Sequence, residues 1–302
     1  MKQKDFKKDS VFTKYNGTDS HFTIPEGVME IADEAFESCD SLVSITIPKS
    51  VRRIGRWAFY GCHSLASITI PESVTEIGKR AFGYCKALTS IIIPACVTKI
   101  GELAFEECRN LTSITISEGV TEIGDGAFAC CEALTSITIP GSVRKIGYQA
   151  FEDCAKLSHI IISKGVKEIK YDALEGCGCL TSITFPKRLS EITDEYSYPN
   201  KVRSAVNLTR GFLAHPELYD DEAAGDYIDY IKCHSEDFKD ELAGLSVLAM
   251  QEYITKANPA ADTLKKWAEL AMKLESAELV AFLMKVIHNT DGEDDPFKKF
   301  ML

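Results

Sequence analysis

A spacing of 23 residues, kept without insertion through seven units, constrains this chain more than any other feature. Val28, Val51, Val74, Val97, Val120, Val143 and Val166 hold one position of the repeat, and Ile31, Ile54, Ile77, Ile100, Ile123, Ile146 and Ile169 hold another. Phe36, Phe59, Phe82, Phe105, Phe128 and Phe151 occupy a third, taken by Leu174 in the seventh unit, and an alanine precedes each. Leucines recur at 42, 65, 88, 111, 134, 157 and 180, and an eighth, broken unit begins at Leu189 and Ile192. A fixed period of this length predicts stacked coils, each too small to bury its own apolar face and completed by its neighbours. Only the two ends need covering, one by the polar N-terminal segment and the other by the C-terminal tail.

Each unit holds a strand signal such as Leu65-Ala-Ser-Ile68-Thr-Ile70-Pro71. Ile68 and Ile70 point to one face and Ser67 and Thr69 to the other. Proline follows the strand at 48, 71, 94, 140 and 186, where it ends pairing because it has no N–H to donate. Val-x-x-Ile-Gly then predicts a second extended stretch and a turn, and Ala-Phe-x-x-Cys a short helical or 3₁₀ turn. The residue before each Ile of Val-x-x-Ile runs Glu30, Arg53, Glu76, Lys99, Glu122, Lys145, Glu168, Glu191. Stacked coils place these alternating charges side by side, each pair contributing about 0.2–1 kcal/mol.

The unit Leu-x-x-Ile-x-Ile-Pro-x-x-Val-x-x-Ile-Gly-x-x-Ala-Phe-x-x-Cys resembles the BspA-like class of leucine-rich repeats from about Phe22 to Ile192. The resemblance implies an α/β fold class: a right-handed leucine-rich-repeat solenoid, β-rich with a parallel sheet, followed here by an all-α C-terminal domain. It also implies protein binding through the sheet and rims, and many members are secreted or surface-attached adhesins. The expected organisation is an N-terminal cap over 1–21, a solenoid over 22–194 with seven full repeats and a partial eighth, and a helical domain over 195–302.

In the tail, the period changes to that of helices. Val202, Ala205, Val206 and Leu213 form one apolar stripe, and Phe238, Leu242, Leu245 and Ala249 another. Asn258-Pro259 reads as an N-cap followed by proline in the first helical position. The stretch from Leu270 to Leu283 resembles the paired helices of an ankyrin repeat, with Glu275 standing where such repeats usually carry glycine.

No chemistry-bearing constellation emerges. Seven of the eleven cysteines, Cys39, Cys62, Cys85, Cys108, Cys131, Cys154 and Cys177, keep the repeat register. Equally spaced single residues are what a small buried filler gives, whereas zinc calls for close pairs. The off-register Cys130 and Cys179, with Cys154, are the competing metal candidates. The six histidines share no motif, and neither a His-Glu-x-x-His pair nor a phosphate-binding glycine loop occurs. The acidic run Asp291–Asp295 lacks the ligand alternation of a calcium loop and reads as a solvated tail.

The chain is therefore expected to be a non-enzymatic protein-binding scaffold without a cofactor, monomeric, and without a membrane span. Its net charge of -11 disfavours nucleic acid, which needs clustered cations to release phosphate counterions. The residues Met1 to Ser20 carry no apolar run of the ~7–15 residues that a secretory signal needs. With eleven cysteines this points to a reducing, cytoplasmic setting. The alternative is an exported adhesin-like protein that binds host or matrix proteins. On the solvent side of the strands the usual rung is Ser-x-Thr, as in Ser44/Thr46, Ser113/Thr115 and Ser182/Thr184. Ile92, His159 and Ile161 depart from it, and are the candidate partner-binding residues.

Overall fold

The computed structural model describes residues 10–170, 172–187 and 205–291. Lys2, Lys4, Lys7, Lys8, Leu189, Glu191, Ile192, Pro199, Val202 and the acidic run beyond Asp291 lie outside the described residues. Those up to Thr181 form one compact unit, and those from Ser182 onward a second.

The first unit is a parallel-strand solenoid in which each coil contributes two strands. One series is β2 (His21–Thr23), β4 (Ser44–Thr46), β6 (Ser67–Ile68), β8 (Ser90–Ile93), β10 (Ser113–Ile116), β12 (Ser136–Ile139) and β14 (His159–Ile162). The other is β1 (Ser10–Phe12), β3 (Val28–Ile31), β5 (Arg53–Ile54), β7 (Glu76–Ile77), β9 (Lys99–Ile100), β11 (Glu122–Ile123), β13 (Lys145–Ile146) and β15 (Glu168–Ile169). The strands of the first series pair in groups: β2 with β4 and β4 with β6, β8 with β10, β12 with β14. The strands of the Val-x-x-Ile segment, two residues long from β5 onward, form with β1 and β3 the continuous eight-stranded sheet. Equivalent residues face each other coil to coil, as in Ile45↔Ile68 and Ile123↔Ile146.

The core is a set of columns, one per repeat position. The rings from Phe36 through Phe151 stack nearly parallel at centroid separations of 5.0–5.5 Å, all fully buried. Phe12 extends the stack at 5.0 Å from Phe36, and Tyr15 packs on the same ring. The N-terminal end is thus closed by aromatic side chains, where sequence reading found only a polar segment.

The glycine of Val-x-x-Ile-Gly is required by the approach of neighbouring coils. A Cβ on Gly101 would stand 2.6 Å from the Ile77 carbonyl oxygen and 2.7 Å from the Gly78 carbonyl group, closer than atoms can pack. After the strand, Val51, Val74, Val97 and Val143 donate their N–H to the preceding prolines' carbonyls, which closes the turn.

The Ala-Phe-x-x-Cys segment corrects an expectation: it forms no helix but a series of turns with two left-handed positions per coil. Glu34, Trp57, Arg80, Leu103 and Gln149 occupy one of these columns, and Ser38, Tyr84, Glu107, Cys130 and Asp153 the other, all with φ between 52° and 61°. A left-handed L-residue costs about 1–2 kcal/mol. Here it aims the N–H at the next coil: Trp57 donates to the Lys79 carbonyl at 2.9 Å, Leu103 to Asp125 at 2.8 Å, and Tyr84 to Glu106 at 2.7 Å. A helical turn would satisfy those donors within the coil and leave its edge unpaired.

The second unit contains β16 (Ser182–Thr184) and six described helices: α1 (Ala205–Ala214), α2 (Asp221–Cys233), α3 (Lys239–Ala243), α4 (Val247–Ala257), α5 (Ala261–Lys273) and α6 (Ala277–Asp291). The buried face of α1 is Leu208, Thr209, Gly211 and Phe212, one step round from the expected stripe, whose Ala205, Val206 and Leu213 are half-buried. Phe212 is the hub, stacked on Tyr227 and Trp267 and met edge-on by Tyr219. The second stripe is broken after Ala243, because Ser246 caps α4 by accepting from the Ala249 N–H at 3.2 Å and leaves Ala249 exposed.

Asn258 is not an N-cap. It ends α4 in the left-handed conformation, φ 47°, and Ala260 caps α5 instead. Asparagine tolerates that conformation, and proline commonly follows a helix end because it cannot continue the helix. Between α5 and α6, Glu275 is itself left-handed, φ 57°.

Candidate functional site

The strands of the first series present a neutral outer face. Ser113, Thr115, Ser136 and Thr138 are exposed on it, while the alternate Ile114, Ile116, Ile137 and Ile139 are buried. Ile92 stands on β8 in register with Thr115 and is 62% exposed, the largest exposure of any bulky apolar side chain among the described residues of the solenoid. His159 on β14 faces Ser136, is exposed, and shares a hydrogen bond of 2.7 Å between Nδ1 and Ser158 Oγ. Ile161, in register with Thr138, is half-buried rather than exposed. His159 and Ile161 therefore share one strand and one face. Ile92 lies three coils away, about 14 Å at the spacing of paired strands.

The expected rung Ser182/Thr184 is not on the solvent face. Both side chains are buried, and Thr184 Oγ1 donates to the Gly211 carbonyl of α1 at 3.1 Å. Glycine at 211 permits this contact, since a Cβ there would stand 2.1 Å from the Ile183 oxygen. The usable face ends with β14.

The charge column borders the continuous sheet. Arg53 bonds Glu30 at 2.5 Å, Glu76 at 3.3 Å and Asp33 at 3.2 Å, and Lys99 meets Glu122 at 3.0 Å. The register places Lys145 between Glu122 and Glu168, and Glu168 also pairs with Lys170. These pairs are partly exposed and do structural work of modest size.

The cysteines in register are hydrogen-bonded thiols. Cys62, Cys85, Cys108, Cys131, Cys154 and Cys177 each donate Sγ–H to the phenylalanine carbonyl of the preceding coil, at 3.0–3.5 Å. Burial pushes the Cys108 thiol up to about 12 and Cys85, Cys131 and Cys154 well above the ordinary thiol value. Cys130 is half-buried and raised to about 11, by burial first and then by Glu107, Asp153 and Glu152. Among the described residues no three metal-ligating side chains converge. No helix of the described residues is long and apolar enough to cross a membrane.

Sequence reading missed a cleft of about 350 Å³ in the second unit, within the size range of small-ligand sites. Leu213, Met250, Tyr253 and Trp267 supply its apolar lining, and Glu217, Glu252 and Lys256 its charged residues, the last two paired at 2.6 Å. Burial lifts the Tyr253 hydroxyl to about 12. Its lining comes from three separate segments, so no local pattern could announce it.

Coils stacked in parallel on two ladders, with leucine, isoleucine and phenylalanine columns inside, define a leucine-rich-repeat solenoid. The model of the BspA type leucine rich repeat region matches residues 8–102 and 75–202 in six copies, and the chain belongs to that family. It is 31% identical to a leucine-rich repeat protein from Eubacterium ventriosum, with a TM-score of 0.53 over 55% of this chain and 46% of that one. It is also 30% identical to the T. pallidum leucine rich repeat protein, with a TM-score of 0.45 over 65% of this chain and 86% of that one. A leucine rich cell surface protein from Faecalibacterium prausnitzii is 29% identical, with a TM-score of 0.42 over 57% of this chain and 61% of that one. This chain thus spans under two thirds of two of these three proteins. No curated protein sequence matches it.

Proposed function

We propose that this chain is a non-catalytic scaffold that binds a protein partner on the outer face of the β2-to-β14 strand series, with Ile92, His159 and Ile161 as contact residues. The observation that carries the reading is Ile92, 62% exposed in the middle of a hydroxyl-bearing array where the repeat calls for threonine. An apolar group there adds nothing to the core and gains free energy only when a partner covers it. The neutral face and the net charge of -11 favour a protein over nucleic acid. The second unit offers its cleft as a further contact, and the chain acts as a monomer.

The cytoplasm is the proposed location. Six buried thiols placed as hydrogen-bond donors are a core built for reduced cysteine, which a reducing compartment maintains. Cell fractionation tests this, and recovery in the envelope or medium would favour the exported, adhesin-like role instead.

The binding test is affinity capture from the native host with identification by mass spectrometry, then titration of the captured partner. The triple change Ile92→Thr, His159→Ser, Ile161→Thr is expected to leave folding intact and weaken binding at least tenfold, about 1.4 kcal/mol. Unchanged affinity would move the site to the rims or to the second unit.

A further inference from the structure

The thiol column has one end that differs from the rest. Cys62 through Cys177 are fully buried, but Cys39, the first member, is half-exposed. Among the described residues no phenylalanine carbonyl of an earlier coil accepts its thiol, which is directed instead at the Glu37 carbonyl oxygen of its own coil, at 3.9 Å. Its neighbour is Cys62, one coil on. The Phe36 carbonyl oxygen accepts both the Cys39 N–H at 3.2 Å and the Cys62 thiol at 3.0 Å, so the two residues converge on one atom. Neighbouring coils lie about 4.8 Å apart, inside the Cα separations of about 4.4–6.8 Å that a disulfide bridges.

We propose that Cys39 and Cys62 form a thiol–disulfide switch, with Cys39 as the entry thiol, Cys62 as the resolving thiol, and low-molecular-weight disulfides as the oxidant class. The electrostatics favour this order. The adjoining Cys62 side chain and the charge of Lys14 hold the Cys39 thiol below its ordinary value, while Cys62 is raised, first by the adjoining Cys39 side chain and then by burial. The thiolate of Cys39 attacks one sulfur of the oxidant R–S–S–R. This forms Cys39–S–S–R and expels R–S⁻, which takes a proton from water. Capping removes the Cys39 charge, and with it the contribution of that charge to the high Cys62 value. Cys62 then gives its proton to solvent and attacks Cys39 Sγ. The new bond is Cys39–Cys62, the bond broken is Cys39–S–R, and a second R–SH leaves. Two protein thiols are oxidised for one disulfide reduced. In a reducing compartment the bridge is transient, a response to oxidant rather than a permanent staple.

The exposed Cys96 and Cys179 serve as internal controls. The positions one coil from Cys96 hold Ser73 and Gly119, and the one before Cys179 holds Lys156, so these thiols can take an adduct but have no partner in register.

The test uses the full chain, reduced, freed of reductant, exposed to glutathione disulfide for increasing times, then alkylated, digested and read by mass spectrometry. The expected result is a Cys39–Cys62 cross-linked peptide, lighter by two hydrogens, as the first internal disulfide. Cys39→Ser is expected to abolish it, and Cys62→Ser to leave glutathione held on Cys39. Because Cys62 is buried and its variant can fail to fold, the wild-type time course with Cys39→Ser decides the matter alone. A glutathione adduct on Cys39 that never passes to Cys62, or a Cys39 that stays unmodified while Cys96 and Cys179 react, would overturn the proposal.

Discussion

Cys85 Sγ–H donates to the carbonyl oxygen of Phe59 at 3.2 Å, and that same oxygen accepts the N–H of Cys62 at 3.2 Å. One carbonyl thus closes the turn of its own coil and ties down the next. Serine offers a stronger donor with a shorter reach, and alanine offers none. Cys85→Ala is expected to destabilise the chain by about 1–2 kcal/mol, through a lost weak hydrogen bond and a small void. Urea denaturation followed by circular dichroism measures it, and an unchanged midpoint would reduce the column to passive filler.

Alkaline pH is expected to loosen the solenoid. The buried thiols of Cys85, Cys108, Cys131 and Cys154 have folded-state values above their ordinary one near 9.0, so the stabilisation is complete below that pH. As pH rises from 9.0 toward about 12, where Cys108 titrates, the unfolded chain releases thiol protons that the folded chain still holds, and stability falls. Each thiol contributes up to about 1.4 kcal/mol per pH unit in that window. Denaturation midpoints at neutral and alkaline pH, compared with those of Cys108→Ala, isolate the effect: the variant should lose stability less steeply.

Charge reversal tests the ladder. Lys99→Glu sets like charges in a row with Glu76 and Glu122, and is expected to cost about 0.5–1 kcal/mol at low salt. Arg53→Glu should cost more, because Arg53 is the less exposed of the two and holds three carboxylates. Thermal melts at low and high salt order the two. Equal melting temperatures for both variants and the wild type would remove the ladder as a source of stability.

The repeat glycine gives the largest expected effect. Gly101→Ala brings a Cβ against the backbone of the preceding coil, and either the coils separate or the chain fails to fold. A loss of about 2–4 kcal/mol follows from overpacking at a site that cannot relax. Gly61→Ala makes the contrast, because its nearest atom is Ser38 Oγ at an ordinary 3.4 Å and only its φ of 73° is at issue. It should cost about 1 kcal/mol. If Gly101→Ala proves the milder change in thermal melts, coil approach does not explain the glycine.

What was legible in the sequence was whatever recurs. Val28, Ile31, Ala35, Phe36 and Leu42 announce the buried columns, and the alternation at Glu30, Arg53 and Glu76 announces the ladder, because stacking converts a period into contact. The left-handed turns were not legible: Trp57, Arg80 and Leu103 share a backbone conformation and no chemistry. What fixes them is a donor needed by the next coil, which no side chain reports. Ile92 stood out as a departure from the rung, but Thr184 did not, since its burial depends on Gly211, 27 residues further on. Asn258-Pro259 fitted both helix ends equally well, and only the backbone distinguishes them.

The alternation of the charge column has a consequence for how such a chain can change length. Every coil has the same 23 residues, so deleting Thr89 to Leu111 would join Leu88 to Thr112 with all apolar columns intact. It would also bring Glu76 against Glu122. Removing a second coil, as far as Leu134, sets Glu76 beside Lys145 and restores opposite signs. The hydrophobic core counts in single coils, whereas the ladder counts in twos. Duplication and loss within this solenoid should therefore run with an even parity, and chains that gain or lose an odd coil should carry a compensating reversal at this one position.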